Sequence, residues 1–249
     1  MTNNETIKMV LGELGETYSI EEIEKEKNSL YAPTDEKHIT GYVREENVAY
    51  GLEYEKQQGE YTIEDYYALS EDRRMELIDG VLYDMASPTI LHQIIAGSVY
   101  DQFYQYIKKN KGGCIPYIAP LDVKLNKDNK TMVQPDVFVM CYKDDEESTD
   151  DSSLEIPDFV LEIISPSSTK RDYIIKYKKY HDTGVREYWI IDPIKEKVTV
   201  FDFENDAEPV IYPLSGEIPV RIYGGNLSID LNEYKEFWEK SKGRKIGFE

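Results

Sequence analysis

A chain of 249 residues, 40% apolar and 31% charged, has the length for one sizeable domain with an appendage and the composition of a soluble globular protein. Its 29 basic and 49 acidic residues give a formal charge of −20, which argues against broad, non-specific adhesion to nucleic-acid phosphates. No apolar run reaches the roughly 20 residues that span a bilayer, and the N-terminal MTNNETIKMVLGELGE lacks the pattern of a secretory signal, so a cytoplasmic protein without membrane contact is expected.

Residues 1–56 are polar and acidic and read as a partly disordered or helical appendage, with residues 57–249 as the folded domain. Thr62 can cap a helix over IEDYYAL, with Asp65 closing a capping box, and EDRRMELI reads as a second short helix. Asp79-Gly80 turns into the strand VLYDM. Ser87-Pro88-Thr89 then opens a long helix from Ile90 to about Lys109, in which Ile94, Ile95, Val99, Phe103, Tyr106 and Ile107 share one face. CIPYIAPLDVKL and MVQPDVFVM, separated by the turn 126–130, read as a hairpin. Within them Cys114 and Cys141, without a CxxC pattern or clustered histidines, argue against zinc and predict reduced, structural thiols.

The acidic stretch 144–157 reads as a solvated excursion. It leads to DFVLEII, a continuous apolar run expected as a central buried strand. Ser165-Pro166-Ser167-Ser168 turns that strand into a helix from about Thr169 to Thr183, closed by Gly184, and VREYWIID is a further buried strand. Short strands near VTVFDF, PVIYPL and IPVRIY complete the sheet, and a helix near Leu231–Ser241 ends the domain.

Two acids stand out. An ionised Glu162 amid Phe159-Val160-Leu161 and Ile163-Ile164 is costly to bury without a partner, and Asp136 follows Pro135 at the head of the apolar Val137–Met140. Paired strands would bring both carboxylates to one hard cation such as Mg²⁺. Asp172 and Lys176, four apart on the following helix, share a face, and a lysine there could orient a water and stabilise charge on a phosphorus centre. The same residues fit a structural salt-bridge network, which spacing alone favours while leaving the metal reading open. Tyr173, Tyr177 and Tyr180 form a helical stripe expected to pack into the core.

Taken together, QPDVFV, FVLEIISPSS, DYIIKYKKY and GVREYWIIDP, with YTIEDYYAL, MELIDGVLYDM and SPTILHQ upstream, resemble the Uma-type restriction-endonuclease family of the PD-(D/E)XK nuclease superfamily. The resemblance runs from Tyr61 to Phe203. It implies an α/β (mixed α+β) restriction-endonuclease-like fold, a central mixed β-sheet flanked by helices. It implies a DNA endonuclease that hydrolyses phosphodiester bonds with metal-activated water, using Mg²⁺ or Mn²⁺. By position Asp136 and Glu162 become metal ligands, joined by the carbonyl of Ile163 and by Glu76, the acid that superfamily members supply from an early helix. Ile164 stands where the superfamily's usual lysine falls two residues after the second acid, and in the Uma-type pattern Lys176 on the next helix replaces it. His92 takes a general-base or phosphate-contacting role. Lys170, Arg171 and Lys179 are the expected DNA contacts, and a homodimer is expected because two strands would be cut by one site per subunit. The rival reading is a catalytically silent nuclease-fold binding protein, which the net charge favours.

Overall fold

The computed structural model describes residues 56–69, 74–125, 129–142, 156–165 and 168–241. The N-terminal appendage and nearly all of the acidic stretch 144–157 lie outside the described residues. The chain divides into two compact units, Met1–Ser87 with Asp122–Gln134 and Pro88–Leu121 with Pro135–Glu249.

In the first unit, helix α1 (Ile63–Tyr67) carries the expected capping box between Thr62 and Asp65. Of the second helix read from EDRRMELI, residues 71–73 lie outside the described residues and the MELI part is corrected: Met75–Ile78 forms strand β1, paired antiparallel with β2 (Val81–Asp84). The turn decides it. Asp79 and Gly80 both have positive φ (51° and 77°), the tight two-residue hairpin geometry, and MELI buries all four residues where a helix would leave one side exposed. A Cβ on Gly80 would lie 2.4 Å from the Gly59 carbonyl oxygen, so no larger residue fits there.

The hairpin expected from the next two runs forms, but in two parts. Its outer strands β3 (Cys114–Ile118) and β6 (Val137–Cys141) pair in the second unit, whereas β4 (Val123–Lys124) and β5 (Met132–Val133) join β1 and β2 in a sheet of order β2-β1-β5-β4. Prolines 120 and 135 stand at the two breaks, where a residue without N–H cannot continue a ladder. The β3–β6 register sets Cys114 opposite Cys141, their Cα atoms 3.8 Å apart, and joins them in a disulfide. That corrects the expected reduced thiols, because 27 residues of sequence separation conceal a pairing that strand register alone creates.

The second unit is built on a six-stranded mixed sheet of order β10-β9-β8-β7-β6-β3. Here β7 (Phe159–Ile163) and β8 (Glu187–Asp192) run parallel, while β9 (Lys197–Asp202) and β10 (Val210–Pro213) extend it antiparallel. One face carries α2 (Ile90–Asn110), started by Thr89 and ended by Lys111 in the left-handed region. Ile95, Ala96, Val99, Phe103 and Ile107 of α2 pack with Val137, Val139, Phe159, Leu161, Trp189 and Ile191, while Ile94 and Tyr106 border the cluster half-buried. Against the other face lies the crossover helix, π-helical over Arg171–Lys176 and continuing as α3 (Tyr177–Thr183), with Tyr177 packed on Phe201 and Tyr180 on Tyr188. IPVRIY does not complete the main sheet. Glu217–Pro219 (β11) pairs with Ser228–Asp230 (β12) in a separate ribbon, and Arg221–Tyr223 form a 3₁₀ turn before helix α4 (Glu233–Ser241). Among the described residues no helix is long and apolar enough to cross a membrane.

Candidate active site

The second unit's sheet loses a ladder step at its centre, and Asp136 occupies the gap. β6 and β7 pair as far as Val137 opposite Leu161, and beyond that point the Ile163 amide donates to Asp136 Oδ2 at 2.8 Å rather than to a backbone carbonyl. The Asp136 carboxylate therefore completes the edge of β7 just ahead of the start of β6, where Pro135 precedes the strand. The same Oδ2 lies 3.1 Å from His92 Nε2, in the first turn of α2, where the Thr89 cap fixes the helix start. No hydrogen bond reaches Oδ1 among the described residues. Because N–H and C=O of one strand residue face the same edge, the Ile163 carbonyl points toward this gap as well.

Extending the β6–β7 register by one step sets Asp136 opposite Glu162. Alternation along β7 puts Phe159, Leu161 and Ile163 under α2 and turns Glu162 to the opposite face, beneath the crossover helix. There Lys176 Nζ donates to Glu162 Oε1 at 2.9 Å and approaches Asp172 Oδ1 at 3.6 Å, and the Tyr180 hydroxyl donates to the same Glu162 Oε1 at 2.6 Å. All four residues are buried. The wide π-helical turn explains how one helix buries Asp172 through Tyr177 without a break, since more than four residues per turn broaden the face that meets the sheet.

The structure thus brings Lys176 to Glu162, and His92 and Ile163 to Asp136. Lys176 turns inward, and of the expected DNA contacts Lys170 is exposed while Arg171 and Lys179 are half-buried. Glu76 lies on β1 of the first unit rather than on a helix, fully buried, with Oε1 accepting the Gln134 amide at 3.0 Å. Tyr180 packs into the core as expected, and what the sequence reading missed is its hydroxyl's bond to Glu162. Its spacing of four from Lys176, as Lys176 is four from Asp172, already placed it on the acid-facing side of the helix.

A second buried carboxylate also escaped notice. Glu187 at the start of β8 accepts Trp189 Nε1 at 2.7 Å on one oxygen and the amides of Arg221 and Ile222 at 2.7 and 2.9 Å on the other. Burial pushes its carboxyl up to about 7 against the pull of those three donors.

For a hard divalent cation the donor chemistry fits: among the described residues Asp136 keeps Oδ1 without a hydrogen bond, the Ile163 carbonyl faces the same gap, and Glu162 stands opposite Asp136 in the extended register. Among the described residues no group of three or more His, Cys, Asp and Glu side chains is arranged to hold a metal, so a backbone oxygen would have to complete such a site.

Among known proteins, a crystal structure titled as a putative nuclease belonging to DUF820 from Anabaena variabilis ATCC 29413 shares the fold at TM-score 0.58 and 18% identity, covering 71% of this chain and 98% of that one. No curated protein matches the chain. The model of the Uma2 family, described as "Putative restriction endonuclease", matches residues 63–230, more than half of the sequence, and the chain belongs to that family.

Proposed function

We propose that the protein is a divalent-metal-dependent DNA endonuclease that hydrolyses phosphodiester bonds at the Asp136–Glu162 gap. The observation that carries this reading is the interrupted ladder, in which a carboxylate and a backbone carbonyl replace strand pairing beside a second acid that is held by a lysine. Asp136, Glu162 and the Ile163 carbonyl would hold Mg²⁺ or Mn²⁺. Such an ion, when bound, supplies a lowered water pKa and a Lewis acid for a phosphoryl oxygen. His92, bonded to Asp136 Oδ2, orients that carboxylate and leaves Oδ1 to take the metal. Lys176 places a positive charge on Glu162 and offsets negative charge that builds as water attacks phosphorus. Lys170, Arg171 and Lys179 contact the DNA backbone by charge, in a homodimer with one site per subunit.

The test combines Mn²⁺ titration with cleavage assays on supercoiled, linear and single-stranded DNA. Cleavage that requires the metal, and falls at least about 100-fold in Asp136→Asn, is expected. A folded parent that takes up no Mn²⁺ and cuts none of the three substrates, or an Asp136→Asn variant as active as the parent, overturns the reading.

A second reading, a catalytically silent binding protein on the nuclease fold, is favoured by the burial of Lys176, 2% exposed, between Glu162 and Asp172. It expects DNA retention in a gel-shift assay with no metal uptake and no cleavage.

A further inference from the structure

We infer that Tyr180 is a positioning residue for Glu162, setting which oxygen of that carboxylate faces the crossover helix; this rests on the metal-dependent reading above. A glutamate's terminal torsion is broad, so a carboxylate held by one flexible partner can turn between two arrangements. Lys176 is such a partner, a point charge on a four-carbon stem whose ammonium can follow either oxygen. Tyr180 cannot follow. Its ring is fully buried and packed on Tyr188 at a centroid distance of 4.9 Å, so its hydroxyl oxygen has one place to be. From that place it donates to Glu162 Oε1 at 2.6 Å, the short range of a hydroxyl bonded to a charged acceptor. The lysine donates to the same oxygen at 2.9 Å.

Two donors of different stiffness converging on Oε1 define the carboxylate's rotation, and with it the direction of Oε2. The geometry follows from chain spacing. Asp172, Lys176 and Tyr180 lie four apart on one continuous helical segment, so the helix that delivers the lysine also delivers the hydroxyl that orients its partner. A positioning role separates from mere core filling with a satisfied hydroxyl in what metal binding feels.

The experiment compares Mn²⁺ affinity by calorimetry and DNA cleavage in the parent, Tyr180→Phe, Glu162→Gln and the double variant. Tyr180→Phe keeps the ring and is expected to raise the Mn²⁺ dissociation constant about tenfold and to lower kcat with KM for DNA unchanged. On the Glu162→Gln background the same change is expected to have no further effect on metal affinity. Incorporating p-aminophenylalanine at position 180 restores a weaker donor and is expected to give intermediate affinity; should Tyr180→Phe not fold, that variant carries the comparison, and affinity equal to the parent's overturns the inference. Equal Mn²⁺ affinity and kcat in parent and Tyr180→Phe also overturn it while leaving the nuclease reading intact. A parent that neither binds Mn²⁺ nor cleaves DNA removes the nuclease reading and the Tyr180 role with it.

Discussion

Glu162 and Glu187 are both acids in the parallel strand pair at the centre of the sheet, both almost sealed from water, and they are compensated in opposite ways. Glu162 faces the crossover helix and meets a lysine cation and a phenol. Glu187 faces the α2 side and meets three neutral donors, the Trp189 indole and two amides that open the 3₁₀ turn. Burial of a carboxylate is therefore no mark of chemistry by itself. Neutral donors arranged around both oxygens make a closed structural plug, whereas a cation and a phenol beside Glu162 bury a charged pair next to an interrupted ladder. The difference lies in what each acid's strand face is packed against, which the strand sequences do not state.

The largest expected effect comes from removing the cation that separates the two cases. Lys176→Met leaves Glu162 and Asp172 buried without their shared positive partner and is expected to cost about 3 to 5 kcal/mol in urea unfolding. A loss below about 1 kcal/mol would erase the distinction between the two pockets. The next effect tests Glu187 through pH. Its folded-state pKa, raised to about 7, exceeds the ordinary carboxyl value of 4.5, so the folded protein holds a proton that the unfolded chain releases. The stability this contributes is complete below about pH 4.5 and is lost as pH rises through about 7. Relative to Glu187→Gln, the parent is expected to lose about 2 to 3 kcal/mol between pH 5 and pH 8 by chemical denaturation. A flat difference across that range would show that the three donors hold Glu187 ionised in the folded protein. The smallest effect serves as a reference outside both pockets: Thr89→Ala removes the α2 cap that receives the His92 amide and is expected to cost about 1 kcal/mol at every pH. A pH-dependent loss there would couple the helix start to the neighbouring carboxylates.

Much of the fold was legible along the chain. The α2 helix, its Thr89 start and its buried face follow from 3.6-residue periodicity, and DFVLEII and VREYWIID read as central strands because only a strand covered on both faces is apolar throughout. MELI misled because a short run with buried neighbours on both sides carries no period, and the Asp79-Gly80 turn outweighed its helical look. The hairpin runs were visible, but their division between two sheets was not, since each proline only permits a break and the sheets decide where the chain takes it.

For the candidate site, the sequence by itself determined that Glu162 needs compensation, that Asp136 heads an apolar strand after a proline, and that Lys176 shares a helix face with Asp172. These follow from local rules: the cost of burying charge, the fixed two-residue alternation of a strand and the rotation of a helix. Only the tertiary structure decided that Asp136 fills a missing ladder step against Ile163, that His92 and Tyr180 each grip one of the two acids, and that Cys114 meets Cys141. Each of those depends on strand register or on which helix covers which face. Such contacts are made by residues far apart in the chain, whose approach is set by the packing of the whole sheet rather than by any neighbour in sequence.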